Sequence, residues 1–165
     1  MTESTPKRHQ YAYWAASLSL IVVTTMIRYW FVASGQLNLY NDEAQYWDWS
    51  RTLQWSYYSK GPLIAVINRL GTAWFGPTEL GVRIGAIVGM SLMQTAVLAW
   101  IGGWMGRIRL AWWGLVMLNT APLLMAGGLL MTTDNPLLLC WVVGMICLSL
   151  AVERDRLAYF IILGA

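Results

Sequence analysis

Four carboxylates and one lysine are the side chains of this sequence best suited to chemistry. Asp42, Glu43, Asp48 and Lys60 fall in one polar stretch, and Asp134 stands in a short turn, Thr132 to Asn135. A carboxylate beside an attacking hydroxyl can take up its proton. An ammonium beside a departing oxyanion stabilises the charge that develops there. The same residues also have plainer uses. Asp42 and Glu43 in a first helical turn would complement the helix dipole, worth about 0.3–1 kcal/mol. Lys60 near a membrane surface would anchor to lipid phosphates. Residue type leaves both uses open, so the elements that carry these groups must decide.

Those elements belong to a membrane protein. Of 165 residues, 58% are hydrophobic and 12% charged, with a mean hydropathy of +0.50. Soluble domains hold roughly 45–50% and ~25%. Eleven basic and eight acidic side chains cannot cover an apolar mass that includes 11 Trp and 8 Tyr. Disordered, collagen-like and disulfide-rich classes are excluded on the same composition. The net charge of +3 forms no basic stripe, so nucleic acid is not an expected partner. Cys140 and Cys147 lie in one apolar run, where helical rise separates them by ~10.5 Å. A disulfide tolerates ~7 Å, so two free thiols are expected.

The apolar runs predict spans at 11–33, 84–105, 110–131, 136–152 and 157–165, after a cytoplasmic tail at 1–10. The first is too long for the apolar core of a cleaved signal peptide. The last would cover ~14 Å of a ~30 Å hydrocarbon layer. The chain is therefore expected to be the N-terminal part of a longer protein and inactive alone. Lys7, Arg8, Arg107, Arg109, Arg154 and Arg156 mark one side, the cytoplasm by the positive-inside rule. Asp42, Glu43, Asp48 and Asp134 then share the outer face. Glu153 and Asp155 read as a solvated cluster on the inner face. Arg28, ~8 Å from the outer end of its span, is expected to snorkel outward. Gly85, Gly89, Gly102, Gly103 and Gly106 read as close helix packing.

The outer segment predicts two helices, about 41–54 and 62–75. Asn41 is the expected N-cap, and Asp42, Tyr46 and Trp49 share a face. Glu43, four residues before Trp47, is expected to face the bilayer interface. Seven aromatics between Tyr40 and Tyr58 suit the headgroup level, so both helices are read as lying along the membrane surface. The fold class expected is all-α: a polytopic transmembrane helix bundle with two interfacial helices in its first outer loop.

Asp42-Glu43-Ala44-x-Tyr46, then Tyr57-Tyr58-Ser59-Lys60-Gly61-Pro62-Leu63, then Thr132-Thr133-Asp134-Asn135-Pro136-Leu137 follow in order. Together they resemble GT-C membrane glycosyltransferases of family 39, which include protein mannosyltransferases, aminoarabinose transferases and RgtA/B/C/D-like members. The resemblance implies sugar transfer from a polyprenyl-phosphate donor to an acceptor hydroxyl at the outer face of the bacterial plasma membrane, with inversion. It makes Asp42 the catalytic carboxylate and Lys60 the contact to the donor phosphate. Glu43, Tyr46, Tyr57 and Asp134 become the sugar and acceptor side. The implied partners are the lipid-linked sugar, membrane lipids and a lipid, glycan or protein acceptor. A divalent metal, where relatives use one, would fall on Asp134. Relatives often carry Glu before the lysine, and Ser59 in that place removes one ligand. A transporter or flippase component for lipid-linked sugars is the rival reading. It would place its carboxylates in mid-membrane, where this sequence has none.

Overall fold

A computed structural model describes residues 7–154 as helices joined by short loops. The expected span at 157–165 lies outside the described residues, as do residues 1–6, Asp155 and Arg156. The order is α1 (Lys7–Ala33), α2 (Asn41–Arg51), α3 (Leu63–Phe75), α4 (Glu79–Val97), a π-helical segment (Leu98–Trp104), α5 (Ile108–Thr120), α6 (Pro122–Gly127) and α7 (Asp134–Arg154). No strand occurs among the described residues, and the protein is an all-α membrane bundle. Among the described residues, three helices are long and apolar enough to cross a membrane: Arg8–Ala33, Glu79–Trp104 and Asp134–Glu153.

The run at 110–131, read from sequence as one span, is instead broken in two. Pro122 offers no N–H to the preceding turn, and Ala121 before it is extended at φ −70°, ψ 118°. The chain restarts as the six-residue α6.

The long helix formed by α4 and its π-helical continuation is the hub, packed against α1, α3, α5 and α7. Thr25 of α1 hydrogen-bonds Ser91 of α4 at 2.8 Å, and Trp14 reaches Gly102, so these two run antiparallel. Met131 lies against Gly85 near the start of α4, and Trp104 Nε1–H donates to Glu153 at the far end (2.8 Å). Thus α7 runs parallel to α4. One end of the bundle therefore gathers the end of α1, all of α2 and α3, and the starts of α4 and α7. Every candidate residue sits at that end.

Two apolar cores hold this arrangement. Ile21, Leu98, Ile108, Ala111 and Leu115 pack α1, α4 and α5 together. Tyr46, Ile64, Val82, Ala86 and Met131 pack α2 and α3 onto α4 and the chain before α7. The α3–α4 contact depends on glycine. A Cβ on Gly71 would lie 2.1 Å from the Gly81 carbonyl oxygen, so only hydrogen fits between these backbones. Of the glycines read as packing residues, Gly85 and Gly102 are crowded, but Gly89 and Gly106 meet nothing within 4 Å. Gly106 ends a helix instead, at φ +65°, a conformation that favours glycine.

Candidate active site

The site is built on the first turn of α2. Asn41 is expected as the N-cap, but Tyr40 takes that place, and Asn41 is the first helical residue. Glu43 explains the shift. Its Oε2 accepts the Tyr40 N–H at 3.0 Å, closing the first turn from inside the helix. The same carboxylate receives the Arg83 guanidinium in a fork, Nε to Oε1 at 2.8 Å and Nη2 to Oε2 at 2.6 Å. Its Oε1 also accepts the Met131 N–H at 2.8 Å. Arg83 completes itself on the carbonyls of Leu37 (2.8 Å) and Asn38 (2.9 Å). Both side chains are 1% exposed. This clamp joins α2, α4, the α1–α2 loop and the chain before α7.

Burial alone would raise the Glu43 carboxyl. Hydrogen bonds from Arg83, Tyr40 and Met131, with the Arg83 charge, outweigh it and hold the group below the usual carboxylate range. The expectation that Glu43 faces the bilayer interface is corrected: it faces the core. Its acceptor positions are occupied, which leaves no open edge for a sugar.

One turn on, Tyr46 is buried against Ile64, Val82 and Met131. Its phenol is pushed up by burial and by the charge of Asp42. A hydrogen bond with Thr133 pulls it back, and the charge of Asp134 raises it again. Tyr46 therefore stays a neutral hydroxyl that feels the charges of Asp42 and Asp134, from distant parts of the chain. Asp42 and Asp134 are both exposed.

Beyond this group opens a cavity of about 420 Å³, lined by Lys60, Pro62, Ile64, Thr133, Asp134 and Cys140 among others. Lys60 and Asp134, so far apart in sequence, share this wall. Asp134 also borders a second, more apolar cavity of about 330 Å³ with Leu130, Leu137 and Leu138. The structure thus sets Thr133 against Tyr46, one turn after Asp42 on α2, and puts Thr133, Asp134 and Lys60 on one cavity.

Tyr57 is placed differently from the sequence reading. Its ring stacks on Trp49, with centroids 4.8 Å apart and planes 10° from parallel. Its hydroxyl donates toward the Trp49 and Thr52 carbonyls and accepts the Gln54 N–H, each at 3.0 Å. That hydroxyl ties the end of α2 to its loop and is not on the cavity wall. Trp55 and Tyr58, at 93% and 99% exposure, are the most exposed aromatics of this segment.

Three contributors escaped the sequence reading: Arg83, Thr133 and Met131. Arg83 carried a signal, a charge at the head of an apolar run. Met131 acts through its backbone and carried none. Asp134 has Asn135 and threonine hydroxyls beside it, a donor set poor in anionic oxygen. Among the described residues no three His, Cys, Asp or Glu side chains gather to hold an ion. These residues do not by themselves fit a divalent metal.

Comparison with known proteins places this geometry. No solved structure matches the chain. The lipid A galacturonosyltransferase RgtD of Rhizobium johnstonii is 34% identical over 100 residues, covering 55% of this chain and 21% of that protein. The chain therefore spans about a fifth of that curated relative. The family described as dolichyl-phosphate-mannose-protein mannosyltransferase matches residues 59–165, which include Lys60, Arg83, Thr133 and Asp134. With the lysine, the second-turn carboxylate and the helical hub all inside that match, the chain belongs to this family of GT-C membrane glycosyltransferases.

Proposed function

We propose that this chain forms the catalytic end of a transferase that moves a sugar from a polyprenyl-phosphate donor to an acceptor hydroxyl. The cavity shared by Lys60 and Asp134, at the end of the bundle that also carries Asp42 in the first turn of α2, supports this reading. Asp42 takes the proton of the acceptor hydroxyl as that oxygen attacks the anomeric carbon. The sugar–phosphate bond breaks, and Lys60 stabilises the negative charge on the departing lipid phosphate. The Tyr46 hydroxyl, kept protonated, donates to whichever carboxylate must stay fixed, and Asp134 orients the sugar or acceptor. A single displacement of this kind inverts the anomeric centre.

The same reading puts the site at the outer face of a bacterial plasma membrane, with the N-terminus cytoplasmic, because Lys7, Arg8, Arg107, Arg109 and Arg154 fall at the opposite end of the helices, against Arg51, Lys60, Arg69 and Arg83 at the site end. RgtD acts on lipid A by its name, which makes a lipid acceptor the first to test. The transporter alternative gains no support from the spans, whose buried polar groups include no carboxylate between the helix ends.

The test is single-turnover transfer in proteoliposomes by the natural full-length protein. Labelled sugar should move from a polyprenyl-phosphate donor and not from the matching nucleotide sugar. Transfer from the nucleotide sugar alone would overturn the proposal.

A further inference from the structure

Arg28 was expected to reach outward to the membrane surface. It turns inward instead, with 6% of its surface exposed. Its Nη2 donates to Asn119 Oδ1 at 2.8 Å, and Asn119 Nδ2 donates to Gln94 Oε1 at 2.8 Å. The guanidinium is thereby tied across α1, α5 and α4. Asn119 is its one side-chain partner given by the geometry, a neutral one, and Nη1 is buried without an acceptor. A charge held this way inside a span is costly. A methionine would fill the same space without that cost, so the flat, anchored group has a use that bulk does not supply.

The use is visible at Gly128. A Cβ there would lie 2.7 Å from Arg28 Nε and 3.2 Å from both Cδ and Cζ. The Gly128 backbone, at φ −79° and ψ −6°, suits any residue, so what a larger residue meets there is the Arg28 side chain, which it would have to displace. The rigid arginine stem thus bears directly on the peptide that ends α6. From Gly128 the chain runs straight to the site. Met131 N–H reaches Glu43, Asn135 Nδ2 holds the Leu130 carbonyl at 2.9 Å, Thr133 meets Tyr46, and Asp134 enters the cavity. This segment is fixed in the middle by Glu43 and at its end by Tyr46 and Asn135. Arg28 is the stop at its beginning.

We propose that Arg28 is a positioning residue for Asp134, setting through Gly128 the course of the segment that delivers Met131 to Glu43 and Thr133 to Tyr46. The inference deepens the transferase reading and rests on it only for its kinetic consequences. A displacement of the segment withdraws Asp134 without touching Lys60. Turnover should therefore fall about 10–100-fold, with KM for the lipid donor changed less than about threefold.

The experiment uses the natural full-length protein in nanodiscs, with wild type, Arg28→Ala, Gly128→Ala and the double variant. Hydrogen exchange at the Met131 amide is the readout independent of activity. It should speed up about tenfold or more in each single variant, while amides in the middle of α4 keep their protection. In the double variant the new methyl enters the space the arginine vacated. The two effects should then fail to multiply, leaving exchange and turnover no worse than in Arg28→Ala. Unchanged Met131 exchange in both single variants, or effects that multiply, would overturn the inference. If Arg28→Ala does not accumulate, Gly128→Ala decides alone by the same amide, because it leaves the Arg28 side chain in place. Faster Met131 exchange in a protein whose wild type transfers no sugar would support the positioning and sink the transferase reading.

Discussion

Asp42 and Glu43 are adjacent carboxylates in the same helical turn, yet they belong to two different regions. Glu43 points into a closed, buried clamp where Arg83 and two backbone N–H groups meet its oxygens. Asp42 stands exposed at the rim of an open group with Tyr46 and Asp134. A helix turns about 100° per residue, so neighbours necessarily face different ways. The difference teaches that one carboxylate is used up in architecture while its neighbour stays open, and the proposed chemistry falls to the open one. The clamp fixes the backbone of the helical turn that carries both.

The sharpest way to test that division is Asp42→Asn. The amide keeps size and helix-end polarity but cannot accept a proton. Single-turnover transfer should fall about 10²–10⁴-fold, while thermal stability in detergent changes by no more than about 1 kcal/mol. Turnover within threefold of wild type would return Asp42 to a helix-end role and make Asp134 the next candidate base.

Glu43→Gln should do the reverse. Removing one charge of a buried pair leaves Arg83 uncompensated and costs about 3–5 kcal/mol of stability. A denaturant titration followed by tryptophan emission reads this loss, and activity should follow the folded fraction. Acid should act through the same group. The Glu43 carboxyl is held low in the folded state, so its contribution is complete above the ordinary glutamate value of about 4.3. It is lost as pH falls below that value through the depressed one. Glu43→Gln should flatten that acid-side fall, and an unchanged slope would remove the clamp from the account.

Lys60→Met tests the rim from the donor side. Because a phosphate contact exists before the transition state, donor affinity and turnover should both weaken, by about 10–100-fold in kcat/KM. A change in kcat alone would place Lys60 away from the ground-state phosphate. The smallest effect is expected for Tyr57→Phe, about 1 kcal/mol from its lost hydrogen bonds at the end of α2. KM should hardly move. A tenfold rise in KM would put Tyr57 back among the sugar contacts.

The sequence carried the fold a long way. Apolar runs at 11–33, 84–105 and 136–152 correspond to α1, the long hub helix and α7, because spanning length and hydropathy are properties of a contiguous stretch. The helices at 41–54 and 62–75 reappear as Asn41–Arg51 and Leu63–Phe75, written in local capping and spacing. Asn119 and Pro122 were legible as interruptions of the run at 110–131, but not the full break, since a proline kinks or ends a helix according to what packs beside it. Within the proposed site, Asp42, Lys60 and Asp134 were singled out on short, local motifs, and the structure sets all three at one end of the bundle. Glu43, Tyr57 and Arg28 were misplaced for one shared reason. Whether a polar side chain faces lipid, water or core depends on its partner.

What the sequence determined alone was therefore a helical membrane protein, the order of its elements and the carboxylates and lysine that gather at one end. Tertiary structure decided which of those groups are buried in pairs and which stay exposed. Arg83 lies 40 residues from Glu43, Met131 lies 88 from Glu43, and Asn119 lies 91 from Arg28. Pairings at such separations follow from how helices pack, and the buried charges they satisfy leave no periodicity in the chain to read.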